Sequence, residues 1–298
     1  VYDDSARINF SDLRVDSICL NLDNILFKND TLFFDISERH FIEKSGFKLH
    51  NLTANGYVMS SQAMLENVRI RDEYSDVQMG FFSLNFDDIK SFKYFIEQVR
   101  MDALFSDAGY VSFQSLVYFA PVLRSVNTSL APNGVVTGTV ANLKSDSLYI
   151  GTLDKGVEAL LKFRMTGLPL IDETIIYCDI NELRGNSVST NRLLEELFGK
   201  SAHAFRPYIL SLGSINAKGK FTGLYNDFVA TGRMRTGIGL LGVDALFTNS
   251  IEKGTTFKGR FSGLDFNVGA LLKSPLLDKT SFDVSLEGGL ADGMLNTK

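Results

Sequence analysis

Apolar and polar positions alternate along most of this chain, and residues 218–248 (KGKFTGLYNDFVATGRMRTGIGLLGVDALFT) show the pattern most plainly. Phe228, Ala230, Gly232 and Met234 share one face of a strand. Val229, Thr231, Arg233 and Arg235 share the other. A period of two makes one face apolar and the other wet. Residues 218–224 precede that strand across the polar turn Tyr225-Asn226-Asp227, and residues 243–248 come after a glycine cluster. Three consecutive antiparallel strands are expected here.

The same rhythm opens the chain. Between residues 8 and 36, short apolar segments at 18–22, 25–27 and 32–34 are separated by Asn24, Asn29 and Asp30, which favour turns. Residues 45–49, 56–59, 64–70 and 77–81 continue it as a meander. At 87–100 the period changes. Ile89, Phe92, Ile96 and Val99 have helical spacing, with Asp87 or Asp88 as N-cap. A second short helix is expected at 115–123, stopped or kinked near Pro121. The two form a helical insertion at about 87–124, either a plug or a cover for a sheet edge. Strands resume at Val135. Residues 190–198 predict a helix with Leu193, Leu194 and Leu197 on one face, capped by Ser189 or Thr190 and ended by Gly199. Residues 206–212 read as a strand or a helical turn, and a last helix is expected at 266–272.

Five fragments repeat a strand ending: GTVANL (138–143), FRMTGL (163–168), GKFTGL (219–224), GRFSGL (259–264) and, more loosely, VSLEGG (284–289). Their spacing is irregular, which excludes a strict solenoid. Each places a large apolar residue inward, then Gly or Asn, residues that tolerate positive φ where the chain turns. In series they predict an elongated antiparallel sheet with a continuous apolar face. Its candidate lining residues are Phe163, Met165, Phe221, Phe228, Met234, Phe247, Phe257, Phe261, Phe282, Val284 and Leu286. Such a face must meet a second layer, curl on itself or hold an apolar ligand.

Composition agrees with a mainly β protein. Of 298 residues, 45% are apolar and 22% charged, enough to bury a sizeable core, and 24 Phe and 25 Gly stand against only 5 Pro. The net charge of −5 argues against nucleic acid as a partner. Cys19 and Cys178 make no disulfide framework and are expected as buried apolar thiols. The chain opens at Val1 without Met and carries no apolar run of membrane-spanning length, so it is expected to be a piece of something longer.

The motifs with chemical meaning are weak. Residues 237–242 (GIGLLG) match G-x-G-x-x-G, but a dinucleotide site needs a helix starting inside the motif. Here a strand comes next, so a hairpin bend is expected. His40, His50 and His203 have no metal-ligand spacing. Asp87-Asp88, Asp172-Glu173 and Glu195-Glu196 fit caps, turns and solvated surface better than a catalytic carboxylate pair. Asn29, Asn51 and Asn127 open sequons that matter only in a eukaryotic secretory setting. No catalytic residue, metal or cofactor is expected.

Three stretches carry a resemblance. TGLPLIDET (166–174), continued by the strand 175–183, resembles a segment of TamB-type proteins of the Bacteroides group. GKFTGLYNDF (219–228) is similar to the next segment of those proteins, and LDFNVGALL (264–272) resembles a turn of the wider AsmA-like superfamily. SGFKLHNL (45–52) also fits, and the resemblance runs from about residue 10 to 290. It implies a taco-shaped β-groove with an apolar interior, in a protein anchored in the inner membrane and crossing the periplasm. It also implies a non-enzymatic role in outer-membrane biogenesis: a conduit for phospholipid or another envelope lipid, and a partner of an outer-membrane assembly barrel. The 298 residues would then be one elongated internal section, lacking the anchor. An extracellular β-rich adhesin or glycan-binding module is the alternative, and it would present aromatic platforms on a wet face. An enzyme would need a converging pocket of titratable groups.

Overall fold

A computed structural model describes residues 15–203, 205–250, 254–291 and 294–297. The start of the opening meander, residues 8–14, lies outside them. The fold is mainly β, with 62% strand and 17% helix, and every strand pairing in it is antiparallel. The chain divides into two compact units: Val1–Leu153 with Arg164–Ile171, and Asp154–Phe163 with Asp172–Lys298.

The first unit is a meander of β1 (Val15–Lys28), β2 (Thr31–Glu43), β3 (Lys48–Val58), β4 (Gln62–Asp72), β5 (Asp76–Asn85), β6 (Arg100–Phe105), β7 (Val111–Ser112), β8 (Ser129–Thr139) and β9 (Asn142–Thr152). Successive strands pair, except that β6 and β7 both pair with β8. Asn29 and Asp30 both have positive φ, 49° and 57°, as a tight two-residue hairpin loop requires. Asn24 makes no turn. It sits inside β1 at positive φ, beside a shift of register between Asp23 and Leu26, and its amide donates to Asp35. The strand bulges there and continues. Ala54, Val68, Met79 and Ala103, one from each of β3 to β6, form the core.

The helical insertion is shorter than its spacing predicts. Asp88 caps it, its carboxylate accepting from Lys90 N at 2.6 Å. A 3₁₀ segment, Ile89–Tyr94, and α1 (Phe95–Gln98) come next. The helix stops because Arg100 already pairs with Asn85 in the sheet. Phe86 and Phe92 meet edge to face at 4.9 Å beneath it. Instead of a helix at 115–123 there is one turn, α2 (Phe113–Leu116), and a 3₁₀ segment that begins at Pro121. Ser115 ties α2 down: its hydroxyl lies 2.6 Å from that of Ser75 and donates to Asp72 Oδ1 at 2.8 Å.

The second unit contains part of β10 (Val157–Thr166), β11 (Ile175–Asn186), three helices, then β12 (Ser214–Gly223), β13 (Asp227–Thr236), β14 (Gly239–Ser250), β15 (Gly254–Asn267), β16 (Lys279–Ala291) and β17 (Met294–Thr297). The helices are α3 (Ser187–Phe198), α4 (Lys200–His203) and α5 (Arg206–Ser211), and α6 (Val268–Leu272) comes after β15. Helix α3 starts three residues earlier than its leucine pattern predicts. Asn186 is its N-cap, accepting from Ser189 N at 2.8 Å, and Gly199 at φ +59° ends it. Residues 206–211 are helical, with Pro207 in the first turn. One end of the sheet is closed by Leu212, Ile215 and Phe266, packed against Ile209, Ile238, Leu241, Leu271 and Phe282.

The repeated strand ending is real at Gly223, the last residue of β12, and at Gly167, just past β10, both with positive φ. Gly263 and Gly288 lie inside strands instead. At Gly263 the reason is packing: a Cβ there would come 2.3 Å from the Phe282 ring. Cys19 is exposed rather than buried.

Phe266 is only 1% exposed. Phe266→Ala is expected to destabilise the second unit by about 3–5 kcal/mol, read from the urea midpoint. A second expectation concerns Asp76, held by Arg69 through Nε–Oδ1 (2.9 Å) and Nη2–Oδ2 (2.7 Å), with Arg71 3.4 Å away. The hydrogen-bonded Arg69 guanidinium holds this carboxyl below its usual range. A carboxyl lowered on folding contributes stability above its unfolded pKa and loses it as pH falls through the folded one. Asp76→Asn should therefore unfold more easily than the parent at neutral pH. Urea midpoints of the two should draw together as the pH falls below the usual carboxylate range.

Candidate apolar binding site

Strands β12, β13 and β14 pair without any shift of register, so each inward position has a fixed neighbour across the sheet. Phe228 stands opposite Phe247, and Phe247 opposite Phe257. Phe221 joins from β12, stacked on Phe228 at 4.5 Å, while Phe228 and Phe247 stack at 5.3 Å. The result is a ladder of rings across four strands, the offset arrangement that aromatic faces favour.

The rows beside the ladder are nearly empty of side chains. Gly219 pairs with Gly232, and Ala230 with Ala245. The two glycines are required by close backbone approach. A Cβ on Gly219 would lie 2.4 Å from Thr231 O, and one on Gly232 would lie 2.6 Å from Lys218 O. Ala217 and Met234 complete this floor. Above it stand Asn191 and Leu194 of α3, Ala202 of α4, Phe205, and Ile209 of α5. Between floor and helices lies a cavity of about 430 Å³, also lined by Ile180 and Val243. That volume falls within the range of small-molecule sites, roughly 300–1,000 Å³.

Charge is kept off the inner face by the same alternation. Lys218, Lys220 and Arg233 border the cavity through their strands, but their side chains are exposed, and Lys220 reaches Asp179 at 3.6 Å. Cys178 stands opposite Phe221, half-buried, and burial together with the Asp179 charge pushes its thiol up to about 11. It stays protonated at neutral pH and offers no nucleophile.

Among the buried side chains on this lining one is polar: Asn191, 5% exposed, carries an amide that can both donate and accept.

Of the residues expected to line an apolar face, Phe221, Phe228, Met234 and Phe247 meet at this cavity. Phe257 is buried between Phe247 and Phe261, as core. Phe282 packs edge to face on Phe266 at the closed end. Phe261 and Leu286 are half-buried away from the cavity, and Val284 is exposed. Phe163 and Met165 are half-buried on β10, the first in the second unit and the second in the first. Helix α3 turns Asn191 and Leu194 inward and leaves Leu197 exposed. The inward stripe thus runs through an asparagine, and a search for leucines alone passes over it.

The bend at Gly237-Ile238 joins β13 to β14, and the rest of the G-x-G-x-x-G stretch is strand, with no helix for a phosphate. No protein-family model, curated protein or solved structure matches this chain.

Proposed function

We propose that this chain is a non-enzymatic lipid-handling module whose second unit holds an acyl chain reversibly. The observation that carries the reading is the cavity beneath α3–α5, with its phenylalanine ladder and its floor of glycine and alanine. Phe and Met provide large, adaptable and unreactive surface for a flexible chain. Each buried methylene is worth about 0.8 kcal/mol. Eight of them would gain roughly 6 kcal/mol, from which the cost of ordering the chain is subtracted. A lipid can leave such a site.

Two further observations support binding over catalysis. The charged side chains bordering the cavity project to the other face of the sheet, and the nearby thiol is protonated. The resemblance to TamB-type proteins supplies the setting we propose: the periplasm, with an inner-membrane anchor outside these residues. The role would be outer-membrane biogenesis, with phospholipid or another envelope lipid as cargo and an outer-membrane assembly barrel as partner.

The expected outcome is that purified chain carries extractable lipid, detected by mass spectrometry, and binds the fluorophore N-phenylnaphthylamine saturably. Ala230→Leu places a branched side chain in the cavity floor. It is expected to weaken fluorophore binding at least tenfold while the circular dichroism spectrum and melting temperature hold. Absence of both lipid and saturable binding in the parent chain would remove the proposal.

A further inference from the structure

We infer that Asn191 is the polar anchor of the cavity and that its ligand carries an uncharged hydrogen-bonding group, such as a hydroxyl, amide or ester, on an apolar chain. This rests on the reading of the cavity as an acyl-chain site.

Asn191 lies one helical turn after Ser187 and one before Leu194. Ser187, Asn191 and Leu194 occupy the i, i+4, i+7 positions of one face of α3. Ser187 and Asn191 are buried, whereas Val188 and Arg192, one residue on, are exposed. Asparagine is therefore held on the inward stripe of the helix, where Leu or Ala would raise helix propensity and fill space. At the start of this helix the Asn186 amide is engaged with Gly156 O and Ser189 N and the Ser189 hydroxyl with Asp154, while the buried Thr190 hydroxyl has no hydrogen-bond partner but does not line the cavity. Asn191 is the buried residue of this helix that brings an amide, with two donors and an acceptor, to the lining of the cavity.

The surroundings of Asn191 set the chemistry of its ligand. An amide both donates and accepts, so it matches a group that does either. An ionised carboxylate or phosphate would enter without a countercharge, because Lys218, Lys220 and Arg233 are exposed on the opposite face and His203 is exposed. Burying an unpaired ion is far more costly than burying a neutral dipole. An uncharged polar group is the one that Asn191 can satisfy and that can in turn satisfy Asn191.

Dodecane, dodecanol and dodecanoate, each displacing N-phenylnaphthylamine from the full chain at neutral pH, test this. In the parent, dodecanol should bind more tightly than dodecanoate. In Asn191→Leu, dodecanol affinity should fall about tenfold relative to dodecane, as loss of one buried hydrogen bond predicts. Dodecane affinity should hold and the melting temperature of the unliganded protein should rise. Asn191→Ala, which only removes atoms, should show the same relative loss if the leucine variant folds poorly. An unchanged dodecanol-to-dodecane ratio in both variants, or dodecanoate as the tightest ligand of the parent, would overturn the anchor while leaving the apolar site standing. Failure of all three compounds to displace the fluorophore from the parent would overturn the acyl-chain reading itself, and the anchor with it.

Discussion

The site in the second unit depends on one constraint, the close approach of β12 and β13 at Gly219 and Gly232. Backbone from the neighbouring strand lies where either Cβ would go, so no side chain can stand at this point of the inner face. The hollow is thus fixed by the strand pairing itself, independently of how side chains pack. The unbroken register on both sides of β13 then determines what surrounds the hollow. Phe228 must meet Phe247, and Ala230 must meet Ala245. A slip of one residue would turn Arg233 and Lys220 inward and the phenylalanines outward. Ladder, floor and charge-free interior are therefore consequences of a single alignment.

Stability and binding are separated along the same strands. At one end, Leu212, Ile215 and Phe266 pack as an ordinary core with help from α5 and α6. A few residues further along β12–β14, the sheet is left underfilled. A protein can tolerate a cavity only if other contacts exceed its cost. The closed end provides such contacts, and in the first unit the Val68 and Met79 core does so within its own meander. Two of the helices over the cavity are short. Helices α4 and α5 have 4 and 6 residues, too few to be stable alone, so they depend on the surfaces they cover.

Much of the sheet was legible because period-two alternation is a local signal. Phe228 to Met234 declare their faces without reference to anything distant, and the hairpin turns carry Asn, Asp or Gly where positive φ is needed. The helical segments were harder. Ile89, Phe92, Ile96 and Val99 have helical spacing, yet Arg100 is claimed by the sheet, and pairing with β5 outweighs one more turn of helix. Glycine proved ambiguous for a physical reason: Gly223 serves the turn, but Gly263 makes room for Phe282, and nothing local tells a residue needed for its φ from one needed for its missing side chain. Half of the site was hidden in the same way. The ladder residues can be read from alternation, whereas Asn191, Ala202 and Ile209 reach the cavity through helix packing that no spacing along the strands records.

The two faces of this sheet bear different burdens, and the comparison sharpens the reading of the inner one. On the outer face Lys218 stands directly opposite Arg233, a like-charge pair that disfavours the sheet. Both side chains are exposed, so water and salt screen the repulsion and little stability is lost. On the inner side Asn191 shares the cavity lining with Leu194, Ile209 and the phenylalanines, where a hydrogen bond is electrostatically stronger than in water. A surface can carry an unfavourable pair at little cost, whereas an amide on an apolar lining gains most from a partner that can hydrogen-bond to it.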